Sequence, residues 1–174
     1  MPVIDDASLA NLELVVKEIT YRSNRIREWI ELEPKLRNLT SSYDEIFQLV
    51  DAITGTPKNS RLLQIKNKWN NCKITDLEDL KRSALGAQHI KNALPAADGA
   101  VPAPLMDTLV QDLLNLAGQI QTDLAATAIG AVKTDCSQFQ VQLHACIVEQ
   151  RNQLGREVRE LCELTIQLRI RLGA

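Results

Sequence analysis

Apolar residues recur along this chain at spacings of three and four, with almost no strict alternation, and that period marks helices rather than strands. From Ser8 onward, Leu9, Leu12, Val16, Ile19, Ile26 and Ile30 fall on one face, with Ser23 filling the gap. Pro34 has no backbone donor and its ring crowds the preceding turn, so the first helix is expected to kink or end there. The stretch "LTSSYDEIFQLVDAITG" then places Ser42 and Glu45 as a capping box ahead of Ile46, Phe47, Val50 and Ile53. Gly55 and Pro57 are expected to stop that helix. In "NSRLLQIKNKWNN", Leu62, Ile65 and Trp69 share a stripe, and "TDLEDL" repeats the capping pattern with Thr75 and Glu78 before a helix that runs toward Leu94. Residues 95–104, "PAADGAVPAP", hold three of the six prolines and read as a linker or hinge.

No proline follows that segment. Leu105, Leu109, Leu113, Leu116, Ile120 and Leu124 make a wide stripe, and Gly130 with "KTDCS" suggests a turn that has Thr134 or Asp135 as the next N-cap. From there Phe139, Leu143, Cys146, Gln150, Leu154, Val158, Leu161, Thr165, Leu168 and Leu172 keep one face. That pattern predicts a last helix of nearly 40 residues, about 55 Å long, in which Gly155 costs about 1 kcal/mol. The expected fold is all-α: one domain over 1–174, an elongated bundle of four to six helices whose long first and last members pack alongside each other.

The last helix carries a second stripe. Cys162, Ile166 and Ile170 recur at i, i+4 and i+8, away from the Leu154–Leu172 face, with Arg159, Arg169 and Arg171 interleaved. A helix with one core face does not need them. Either the first helix covers this side as well, or the stripe is a docking surface for another protein chain or a second copy. Flanking arginines resemble the charged rim of an interface and favour docking.

Composition narrows the function classes. In 174 residues, aromatics are 3 % and the net charge is −2, so no overall field points to nucleic acid or membrane. The first residues lack the basic flank and apolar run of a secretion signal, and no window of 18 residues is free of polar groups. Cys72, Cys136, Cys146 and Cys162 are widely spaced without a CxxC, which reads as reduced thiols of a cytoplasmic protein.

Charge is segmented. Residues 1–51 balance at −4, 52–94 at +5, 95–150 at −5 and the rest at +2, which suggests that the basic and the second acidic segment neutralise each other in the bundle. Lys58, Arg61, Lys66, Lys68 and Lys73, with Trp69 among them, are the candidate anion-binding residues for nucleic acid or an anionic membrane surface. Trp69 also continues the Leu62–Ile65 stripe, which favours a core role.

Catalytic and metal-binding patterns are thin. On a helix His144 and Cys146 point about 160° apart, and Cys136 is more than two turns away, so no tetrahedral site forms from them. Gly86 and Val141 stand where di-iron bundles need the Glu of a Glu-x-x-His pair before His89 and His144. Gly55 lacks the second glycine and GK[ST] end of a phosphate loop. The expectation is a protein-interaction module (adaptor, scaffold or regulatory bundle) with no catalytic residues, metal or cofactor, whose last helix offers a surface for self-association as a homodimer.

Overall fold

The computed structural model describes residues 6–53, 59–72, 74–89 and 105–173, and among them there is no strand. Five helices follow in order: α1 (Asp6–Asp51), α2 (Asn59–Asn71), α3 (Ile74–His89), α4 (Leu105–Ala125) and α5 (Ile129–Arg171). The elongated all-α bundle with long first and last helices is what forms. The 95–104 segment, Gly55, Pro57, Lys58 and Lys73 lie outside the described residues.

α1 and α5 run antiparallel over their whole length. Gln150 donates to the Trp29 carbonyl at 2.9 Å, Lys133 to the Ile53 carbonyl, and Arg22 to Glu157 at 3.0 Å, so residues advancing on one helix meet residues retreating on the other. α2 and α3 together line α1. Lys68 reaches Glu45 and the Cys72 thiol reaches the Ser42 carbonyl, while Lys35 reaches Asp79 and Ser83. α4 lies against both α3 and α5. The body is therefore a four-cornered bundle, one corner being α2 followed by α3.

Its core is a continuous set of apolar side chains. Trp29, Leu32, Leu36, Leu39, Ile46 and Val50 come from α1, Met106, Val110, Leu113 and Ile120 from α4, and Val132, Leu143 and Cys146 from α5. Tyr43 is its centre: its ring lies 4.7 Å from Phe139, 5.5 Å from Trp69 and 5.8 Å from Phe47.

Three sequence expectations are corrected. α1 passes through Pro34 without ending. Of the two expected outcomes the break does not occur: Pro34 is exposed, so its missing donor faces water, while Leu32 and Leu36 on either side are buried in the core. Ser42 and Glu45 are consequently mid-helix and cap nothing; Glu45 pairs with Lys68 at 3.4 Å. Thr75 likewise sits inside α3 rather than ahead of it.

The turn before α5 comes earlier than Gly130, at residues 126–128, where Thr127 adopts φ 58°. A threonine there is unusual, since its branched Cβ crowds the left-handed region, which is why glycine drew the turn prediction. Thr134 is already helical and bonds back to the Gly130 carbonyl at 3.2 Å.

The charge expectation shifts too. Among the described residues the basic segment's ion pairs to other helices run to acidic or basic partners on α1, Lys68–Glu45 and Asp79–Lys35, rather than to the 95–150 segment. Lys81 meets α4 through the Gln111 amide oxygen, a neutral acceptor.

Trp69 is buried, so Trp69→Ala should cost about 3 to 5 kcal/mol in urea unfolding. Lys66→Glu with Lys68→Glu should stay within about 1 kcal/mol of the parent. Equal costs for the two variants would contradict this packing.

Candidate functional site

Among the described residues, α3 meets α1 at Lys35 through Asp79 and Ser83, and α4 meets α5 at Gln142 through Leu109 and Asp112. Past Trp29 and Gln150, α1 and α5 continue side by side as residues 6–28 and 151–171, the stalk. Its inner seam follows the heptad spacing of the body core: Val15, Glu18, Arg22 and Arg25 from α1, and Gln153, Glu157, Glu160 and Leu164 from α5, all buried or half-buried. Six of these eight positions are polar or charged.

The charges are matched. Glu157, 1 % exposed, receives Arg22 at 3.0 Å on one oxygen and Arg25 at 2.8 Å on the other. Arg22 also reaches Glu160 and, at 3.7 Å, Glu18. Both guanidiniums stand 5.6 Å from the Tyr21 ring, whose hydroxyl accepts from Arg25 at 3.0 Å. Arginine suits this place because its planar fork satisfies a carboxylate from two sides and stacks on an aromatic face. The sequence reading missed the cluster, because Arg22 and Glu157 are 135 residues apart and look like surface charges until the helices are paired.

The apolar stripes lie elsewhere. On α1 the buried seam is not the Leu9–Ile30 row. Leu9, Val16 and Ile30 are 47 %, 49 % and 50 % exposed, with Leu12, Ile19 and Ile26 half-buried between them. On α5 the Leu154–Leu172 row is displaced from the seam in the same way: Val158, Thr165 and Leu172 are exposed, and Leu154, Leu161 and Leu168 half-buried. The expectation that this second row is the core face of α5 fails for the stalk, where Glu157 takes the central place.

Both rows face the same side of the pair. A groove of about 370 Å³ between α1 and α5 in the body is lined by Glu33, Arg37, Thr40 and Asp44 on one helix and Ile147 and Arg151 on the other. These occupy the same heptad positions as the two rows, one or four residues after the inward-facing Trp29, Leu36, Tyr43, Leu143 and Gln150. Side by side, the rows form one face that is polar along the body and apolar along the stalk.

Ile166 and Ile170 are 56 % and 71 % exposed, and Cys162, Arg159, Arg169 and Arg171 are exposed beside them. The described part of α1 therefore does not cover this stripe, which begins beside Val158 at Cys162 and turns away from the row face toward Ile170. The candidate anion-binding residues are less well assembled. Arg61 is exposed and Lys66 half-buried, Lys68 is held by Glu45, and buried Trp69 offers no ring face to a base.

Other chemistry is confined to the body. Asp135, buried near the α4–α5 turn, has its pKa raised to about 6 by burial and by the hydrogen bond and negative charge of Asp123. Burial pushes the Cys136 and Cys146 thiols up to about 12, which favours the protonated thiol at neutral pH. Among the described residues no three His, Cys, Asp or Glu side chains cluster as a metal site, and no helix is long and apolar enough to cross a membrane. His144 is exposed while Cys146 is buried, opposite sides of α5 as the helical spacing requires; the His89 side chain lies outside the described residues. Comparison with protein-family models, curated proteins and solved structures finds no match.

Two predictions follow from these charges. Glu157→Ala leaves two buried guanidiniums short of a partner and should cost about 3 to 5 kcal/mol, with faster amide exchange confined to the stalk; Arg22→Leu, Arg25→Leu and Glu157→Leu together should recover the loss. Asp135, with a folded pKa above its unfolded value of about 4, favours the fold fully below that value and loses this contribution as pH rises to about 6. Asp135→Asn should therefore raise Tm at pH 7 but not at pH 4, and a lowered Tm at pH 7 would show that the carboxylate is needed.

Proposed function

We propose that this chain is a non-enzymatic protein-interaction module, an adaptor, scaffold or regulatory bundle, that presents its stalk to another protein chain. One observation carries the reading: the stalk hides charge between its helices and turns apolar rows outward, the reverse of a self-sufficient helix pair. An exposed apolar face of this extent marks a contact surface. The body is the anchor that fixes α1 and α5 at one end.

Cys162, Ile166 and Ile170, rimmed by Arg159, Arg169 and Arg171, form a second and narrower contact that adjoins the row at Val158 and turns away from it along α5. A cytoplasmic setting accords with the four unpaired cysteines, since thiols persist in reducing compartments.

A photo-crosslinking residue tests the reading. With p-benzoylphenylalanine at position 158 or 166, cross-links to protein in the native host should form reproducibly; at position 140, on the exposed polar part of α5 in the body, they should not. Equal adducts at all three positions would overturn the proposal. So would retention on heparin at physiological salt that Lys66→Glu with Lys68→Glu abolishes, which identifies an anion-binding protein instead.

A further inference from the structure

The structure assigns an occupant to the row face: a second copy of this chain, stalk against stalk, closing a four-helix bundle from two helix pairs. This rests on the protein-interaction reading and names its partner.

The first argument is register. The Arg22–Glu157 and Trp29–Gln150 bonds fix the levels of the two helices. They set Leu9 beside Leu172, Leu12 beside Leu168, and Ile26 beside Leu154. The two polar interruptions never coincide: Ser23 is level with Val158, and Thr165 with Val16. Every level of the stalk thus offers at least one apolar side chain, and both rows end together, where Ile30 meets Arg151.

The second argument is charge. None of the row positions carries an ionisable side chain. A two-fold contact sets each residue's surroundings against an identical patch, so a charged face would repel itself, whereas this one does not. Arg27 and Lys17 stand outside the row on α1, and Arg169 outside it on α5, where a rim remains in water.

Shape and area agree. The face is two parallel ridges about 30 Å long, from the 1.5 Å rise per residue, and the surface complementary to it is another pair of helices of that length. At roughly 180 Å² for a fully exposed large aliphatic residue, Leu9, Val16, Ile30, Val158 and Leu172 alone leave about 440 Å² of apolar surface on each copy. The half-buried row residues between them add to it, toward the roughly 800 Å² per partner of a standard stable contact. A lone peptide helix would cover only the valley between the ridges.

Light scattering with circular dichroism on the full chain decides the matter. The parent should have twice the 19.4 kDa chain mass at micromolar concentration. Val16→Glu with Val158→Glu, at exposed row positions, should give a folded species of single mass, while Ile166→Glu with Ile170→Glu, where the stripe turns away from the row, should remain double. Ser23→Leu with Thr165→Leu, which fills the two gaps, should tighten the dimer at least tenfold. A parent of single mass up to about 100 μM, or a double mass that survives the Val16 and Val158 changes, overturns the second copy as occupant. So does a weaker dimer on filling the gaps, an outcome that does not depend on the charged variants folding. If the parent is single but position 158 still cross-links to another protein, the second copy is wrong and the interaction reading stands; if position 158 cross-links to nothing either, both fall.

Discussion

The antiparallel pairing of α1 with α5 governs the rest of the molecule. These helices have 46 and 43 residues, against 21 in α4 and 13 and 16 in α2 and α3, so the shorter helices complete a bundle around only part of the pair. Where four helices are present, the inward positions are apolar and aromatic. Along the stalk, the same positions become arginine, glutamate and glutamine. Glu157, Arg22 and Arg25 are all buried there, so each charge has to be satisfied within the seam, and the cluster holds one register because Glu157 must meet both arginines.

The fold class and the great length of the last helix were legible because periodicity persists there without proline. What periodicity could not supply was the direction of each face. The Leu9–Ile30 and Leu154–Leu172 rows are the most regular apolar patterns in their helices, yet the buried side of the stalk runs through Arg22 and Glu157. A stripe says which residues share a side; which side turns inward depends on a partner far away in the chain. Pro34 misled for a related reason: a local rule about one missing hydrogen bond gives way when Leu32 and Leu36 are both locked into the core. The turn at Thr127 was hidden because nothing in its residue type announces a left-handed backbone.

The Ile166–Ile170 stripe was found from sequence by asking why a helix needs a second apolar row, and its exposure keeps that question on the surface. The same question, put to the first row of each helix, leads to the row face of the stalk. In the basic segment the structure separates two ingredients that lay together in the sequence: Trp69 goes into the aromatic cluster around Tyr43, and Lys68 stays outside with Glu45 of α1 as its partner.

Pairing the first helix with the last also sets an order of events during synthesis. α1 leaves the ribosome first, but Glu157, which anchors it, is translated 135 residues after Arg22. The α4–α5 hairpin joins neighbours in sequence and closes quickly, whereas α1 must wait beside a growing chain for its α5 contacts. A nascent chain of this protein therefore carries α1 with only its α2 and α3 contacts until α5 emerges, and chaperone demand should fall once α5 has been released.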